Sequence, residues 1–195
     1  MRPRYQYAIL VFITTVLCSG LKAQSQENNE PAETIDESLI RIERQIDLWQ
    51  SGQFDRDRQL GEIRAWERLK AILKSDPDDS LRTRVARDML PLGEFLGEHD
   101  LAIAEFYLGQ EHGGVRGARS RLEHIVQEFP RYSKMDRVLL RLAETYVRED
   151  NPDPARNNLS KLICKYPASD YSTRAFDRLN QIGFGSWEGC DKYKE

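Results

Sequence analysis

Apolar residues recur along this chain at helical spacing. Thr34-Ile35-Asp36-Glu37 has the form of a capping box, in which the Thr oxygen and the Glu carboxylate satisfy amides of a first helical turn. Ile35, Leu39, Ile42, Ile46 and Trp49 follow at steps of four, three, four and three, which predicts one apolar stripe on one helix. Gly52 predicts its end. A second helical pattern carries Ile63, Trp66, Leu69, Ile72 and Leu73 before Asp76-Pro77. A third carries Leu81, Val85, Met89, Leu92 and Leu96, and Pro91 and Gly93 inside it predict a kink or a break. No segment sustains period-two alternation with β-branched enrichment, so an all-α fold without a sheet is expected.

The second half adds a repeat. Ala118, Arg119, Leu122, Ile125, Phe129 and Pro130 reappear as Ala155, Arg156, Leu159, Leu162, Tyr166 and Pro167, each displaced by 37 positions. Leu139, Leu142, Ala143, Tyr146, Ala155, Leu159, Leu162 and Pro167 fall at the relative positions of a tetratricopeptide (TPR) unit, which they resemble. The chemistry suits the spacing: small Ala143 and Ala155 let two helices approach, larger neighbours fill the groove, and proline stops the second helix. Asp153-Pro154 offers that helix an N-cap and a first-turn proline.

Val138, Leu139 and Leu142 map by the same offset onto Ala175, Phe176 and Leu179. Gly183, Gly185 and Gly189 then intervene, so this fragment predicts a terminal capping helix. Upstream, Ala65, Leu69, Ile72 and Pro77 match Ala118, Leu122, Ile125 and Pro130 at a displacement of 53, which predicts an additional helix inserted between the units. The expected architecture is a TPR-like helical solenoid of antiparallel helix pairs over residues 35–182, with residues 183–195 as a C-terminal tail.

The N-terminus departs from this pattern. Arg2 and Arg4 precede an uncharged, largely apolar stretch from Tyr7 to Leu17, about half the length a bilayer-spanning helix requires, which is the grammar of an export signal over residues 1–23. Two processing routes stand open: cleavage after Ala23, or lipidation of Cys18, which Leu17 precedes where a lipobox normally has Gly, Ala or Ser. Residues 24–34 are mostly polar and read as a flexible linker.

Lys+Arg 29 against Asp+Glu 32 gives a net charge of −3, and removing residues 1–23 takes away three basic residues and no acid. That balance disfavours nucleic acid or an anionic lipid surface as a partner; a membrane enters only through a lipid anchor. Cys164 and Cys190 would remain after cleavage, an even number in an oxidising compartment, either bridged to pin the tail or with Cys164 as a small buried helix residue.

Little points to catalysis. His99, His112 and His124 lack metal-ligand spacing, and Glu98-His99-Asp100 reads as a cap at a helix boundary. Gly113-Gly114 and Gly117 follow no strand and precede no Lys-Ser/Thr, so they read as an inter-helix turn. Residues 183–189 miss dinucleotide and nucleophile-elbow spacing. Trp49 and Trp66 read as core. No catalytic, cofactor or metal residue is nominated.

From Leu101 to Pro130 the words become more specific. Ala104-Glu105-Phe106-Tyr107, Gly117-Ala118, Arg121-Leu122-Glu123, Phe129-Pro130, Leu140 to Tyr146 and Tyr166-Pro167 together resemble the BamD/YfiO family of periplasmic lipoproteins, over about residues 92 to 180. The resemblance implies a non-enzymatic scaffold at the inner face of the outer membrane, supporting β-barrel assembly. Its partners would be the periplasmic domain of the barrel insertase, other assembly-complex subunits and unfolded outer-membrane proteins. Family members usually carry about five repeats where this chain has room for roughly three, and the departure falls on the repeats associated with unfolded substrates. The arginine at the position of Arg121 lies at the insertase contact in the family. Tyr107 and Glu123 are the accompanying candidates, Tyr107 standing between a core and a contact role. Read from the residues alone, Arg121 belongs equally to a solvated helix face, pairing with Glu123 or Glu128. Alternatives of other kinds are a periplasmic TPR adaptor coordinating cell division or the envelope, and a secreted helical enzyme acting on envelope polymers.

Overall fold

A computed structural model describes residues 34–51, 59–110, 114–184 and 189–193. The export signal, Cys18, Ala23, the linker to Glu33, Gly52, His112 and residues 185–188 lie outside the described residues, as does the side chain of Trp49. The chain divides into two units, Met1–Ser38 and Leu39–Glu195. In the first, the Thr34 amide donates to the Glu37 carboxylate at 2.9 Å and the Glu37 amide donates to Thr34 Oγ1 at 3.3 Å, closing the capping box. Those bonds hold the Glu37 carboxyl below its ordinary range.

The described residues are all-α, with no strand among them. Helix α1 runs Ile35–Gln50, α2 Gln59–Lys74, α3 Asp79–Leu108, α4 Val115–Glu128, α5 Met135–Arg148, α6 Pro152–Lys165 and α7 Tyr171–Ile182, followed by a 3-10 turn at Asp191–Tyr193. Consecutive helices from α3 onward run antiparallel. Arg119 pairs with Glu149 while Glu123, further along α4, accepts from Tyr146, earlier in α5. Alternate helices run parallel: Glu98 and Glu105 of α3 meet Lys134 and Arg141, both pairs advancing together.

The 37-residue recurrence is carried into the backbone. Helices α4 and α6 begin and end 37 positions apart. Their C-caps, Phe129 (φ −122, ψ 58) and Tyr166 (φ −130, ψ 54), share one conformation. Each cap amide returns to the carbonyl four residues back, and the next turn repeats: Tyr132 N to Phe129 O, then Ser169 N to Tyr166 O. The repeated side chains explain this. Ala118, Leu122 and Ile125 are fully buried, as are Ala155 and Leu162, with Leu159 at 1% exposure. Each buried leucine or isoleucine contributes about 1.5–3 kcal/mol, so one set of core positions fixes one helix length.

Four expectations are corrected. Of the kink or break expected at Pro91 and Gly93, the break does not occur, because α3 is continuous through both. An interior proline costs about 3 kcal/mol, which burial of Val85, Leu92, Leu96 and Leu101 along the same helix exceeds. The 53-residue displacement therefore reflects one long helix; among the described residues no additional helix intervenes between α2 and α4 besides α3. Glu98-His99-Asp100 lies within α3 and is no helix boundary. Finally, Asn151 is the N-cap residue of α6 and Pro152 its first residue, so Asp153 and Pro154 already lie inside the first turn.

Of two glycines in α3, Gly97 serves a close approach and Gly93 has room for a side-chain methyl. A Cβ on Gly97 would stand 2.9 Å from the Tyr132 ring, and one on Gly93 would stand 3.5 Å from Trp66. The second stripe is correspondingly rotated: Ala65, Trp66, Leu69 and Ile72 are buried, whereas Ile63 is exposed. At the C-terminal end Phe176 is 44% exposed although its counterpart Leu139 is fully buried, because among the described residues no helix packs beyond α7. Cys164 and Cys190 are joined in a disulfide with Cα atoms 5.2 Å apart, and Tyr193 donates to Asn157 Oδ1 at 2.8 Å, so the tail lies along α6. Arg156 adds bonds to the Gly183 and Ile182 carbonyls.

Candidate functional site

Arg121 and Glu123 are two positions apart on α4, which turns them toward different neighbours. Arg121 faces α3, where its Nη1 donates to Asp100 Oδ1 at 2.9 Å. The pairing with Glu123 or Glu128 is therefore replaced by one with a residue 21 positions upstream. Asp100 is 5% exposed and its other oxygen meets His124 Nδ1 at 2.6 Å, so both carboxylate oxygens are engaged. A buried carboxylate requires such partners. The His124 ring stands edge-on to Phe129, which is edge-on to Trp66, continuing the seam into the core.

Glu123 faces α5. Its carboxylate accepts from the Tyr146 hydroxyl at 2.5 Å. Burial, reinforced by that bond, pushes the Tyr146 phenol up to about 12. Arg119 lies between Glu123 and Glu149 and stands over the Tyr146 ring at 6.0 Å.

Tyr107 lies in the last turn of α3 and is 37% exposed; its ring packs against Gly117, where a Cβ would stand 3.2 Å from it. Its carbonyl is closer still to Gly114, leaving 2.0 Å for a Cβ there. Phe106, beside it, is 66% exposed with its ring centre 6.0 Å from that of Tyr107. Arg121, Tyr107 and Glu123 do not form one patch: the first two border the α3–α4 seam, two turns apart along α3, and Glu123 lies in the α4–α5 seam. Of the two exposed aromatics, Phe106 and Tyr107, Phe106 is the more exposed.

A carboxylate and guanidinium ladder crosses the parallel helices α3, α5 and α7. Glu105 meets Arg137 and Arg141; Arg141 meets Glu144; Glu144 meets Arg174. At its start Tyr132 donates to Glu98, which also holds Lys134. Lys134 first, then Tyr132, keeps the Glu98 carboxyl below its ordinary range, and burial drives the Tyr132 phenol up.

A concavity of about 410 Å³ lies between α2, α3 and the end of α4, floored by Trp66, Met89, Phe129 and Tyr132, with Leu90 exposed on its rim. Lys70 bridges Glu67 and Glu128 beside it.

Sequence reasoning missed the Asp100–Arg121–His124 cluster because its members come from two helices. The only available signal was the three-residue step between Arg121 and His124, which puts two donors on one face. Among the described residues no hydroxyl or thiol lies within hydrogen-bond distance of His124, and no group of three or more His, Cys, Asp or Glu is arranged to hold a metal ion. Compared with models of known families, with curated proteins and with solved structures, the chain matches none.

Proposed function

We propose that this chain is a TPR-like solenoid that holds other proteins and catalyses nothing itself, working in the periplasm at the inner face of the outer membrane in β-barrel assembly. The observation that carries the scaffold reading is the 37-residue recurrence of helix ends, C-cap geometry and turn in α4 and α6. Such recurrence builds an extended surface from alternate, parallel helices, which suits polypeptide partners. The titratable groups support the same reading: Asp100 and Glu123 face partners on neighbouring helices and Glu98 faces the turn before α5, as cross-links of a scaffold do. The compartment and the assembly role rest on the export-signal pattern and the residue words shared with BamD-like proteins.

Affinity recovery from envelope extract tests it. The barrel insertase and its associated subunits should co-purify, and Phe106→Ala should reduce the yield, because a solvent-facing aromatic is the kind of anchor that dominates interfaces. Recovery of division or peptidoglycan proteins in their place would move the chain to the adaptor alternative. Arg121→Lys, which keeps a cation against Asp100 but removes the fork, separates a partner contact from the internal pair. Arg121→Glu would set two carboxylates against each other and is the poorer probe.

A further inference from the structure

A cavity of about 470 Å³ opens between α5 and α7, lined by Arg141, Arg148, Arg174 and Arg178 against one carboxylate, that of Glu144. Its volume falls in the range of ligand sites. The arginines come from two helices and are held differently. Glu144 accepts Arg141 at one oxygen, at 3.1 Å, and Arg174 at the other, at 2.5 Å, so it orients both guanidinium groups across the opening. Arg141 Nε also stands 3.7 Å from Glu105, outside the cleft lining, and since each guanidinium has five N–H donors both keep donors beyond these contacts. Arg178 bonds to Gln181 on its own helix and Arg148 reaches the Leu108 carbonyl at 3.5 Å. Among the described residues, neither Arg148 nor Arg178 has a carboxylate within ion-pair distance. The floor is aliphatic: Leu159 is buried, and Val147 and Ile182 border it.

We propose that this cleft binds a carboxylate-bearing peptide segment of a partner, its acidic groups on the four arginines and an aliphatic side chain on the floor. The proposal rests on the scaffold reading and names the chemistry of the partner that reading requires. Three features favour this occupant. Four cations facing one anion make a site complementary to negative charge, and the guanidinium fork matches carboxylate geometry. The aliphatic floor gives a small inorganic anion nothing to cover. The chain as a whole is acidic, at −3, so an extended polyanion such as nucleic acid or an anionic membrane would be repelled outside the cleft.

The test uses the purified protein, disulfide intact, and a fluorescent peptide alternating Asp and Leu, followed by anisotropy. Binding should weaken with salt, and Arg148→Gln combined with Arg178→Gln should weaken it about tenfold or more, since one charge-assisted bond is worth at least that factor. These two residues are exposed and lie outside the ion-pair ladder, so the variant should unfold at the wild-type temperature. An amidated form of the peptide distinguishes side-chain carboxylates, whose binding would persist, from a free C-terminus, whose binding would be lost; either supports the site. Equal binding of a peptide alternating Asn and Leu, equal binding by the double variant, or arginine-dependent binding of anionic vesicles without binding of the peptide would overturn it. The two proposals fail separately. Unchanged recovery of the insertase by the double variant, with no peptide binding, sinks this site and leaves the scaffold. Peptide binding without any recovered assembly component leaves the site and sinks the assembly role.

Discussion

Helices α4 to α7 and helices α2 to α3 use the same three core positions to different ends. Ala65, Leu69 and Ile72 in α2 are buried just as Ala118, Leu122 and Ile125 are in α4, and Ala155, Leu159 and Leu162 in α6. From α4 to α6 these sets recur at 37 positions, with matching helix lengths and a matching turn; from α2 to α4 they recur at 53, and α3 takes up the difference as one long helix. The small-large-large pattern therefore fixes how a second helix nests, while the length of the helix before it is set separately. In α3 that length is held by burial on both sides of Pro91, and Gly97 admits the Tyr132 ring against it.

The largest effect is expected where the regular region ends. With Cys164→Ser and Cys190→Ser the tail loses its covalent hold on α6, and the chain-entropy argument for a 26-residue separation gives a loss of about 2–4 kcal/mol in urea unfolding. An unchanged midpoint would mean that the tail contributes nothing to closing the array.

Next come the alanines that set helix approach. Ala118→Leu and Ala155→Leu should each cost about 1–3 kcal/mol by overpacking, and Ala65→Leu should cost the same if α2 nests as α4 does. A markedly smaller cost at Ala65 would break the equivalence of the two regions.

The glycines of α3 sharpen it with opposite signs. Gly93→Ala meets Trp66 at ordinary contact distance and should be neutral or stabilising by up to about 1 kcal/mol through helix propensity. Gly97→Ala drives a methyl into the base of the Tyr132 ring, whose hydroxyl is tied to Glu98, and should lower the melting temperature. Identical responses would show that approach of the rings does not govern this helix.

The smallest effect is on pH. Glu43, Glu98 and Glu128 are held below the ordinary value of 4.5, chiefly by Arg84, Lys134 and Lys70. A depressed folded pKa contributes stability that is present above 4.5 and is lost as pH falls through the folded values. Because these pairs are partly exposed, Glu128→Gln should flatten the acid limb by less than about 1 kcal/mol.

How much of this was legible follows from the range of each signal. Ala118, Leu122 and Ile125 announce themselves because helix packing repeats within one turn, and so does the Thr34–Glu37 box. Pro91 misleads because its local penalty is visible while the burial opposing it is spread along the helix from Val85 to Ala104. Arg121 could be picked out, but its partner Asp100 could not, since nothing in α3 marks the residue that will face α4. The same holds for Arg141 and Arg174, which meet at Glu144 only once α5 and α7 lie parallel. Cys164 and Cys190 form a pair only through an approach of 5.2 Å that composition does not encode.

The claim on which the functional account depends is that this surface holds proteins. A photoreactive residue placed at Phe106, in the envelope of the cells that make the protein, tests it most directly. The account predicts a discrete covalent adduct with another envelope protein, absent when the probe is buried at Leu122. An adduct pattern at Phe106 no different from that at Leu122 would contradict it.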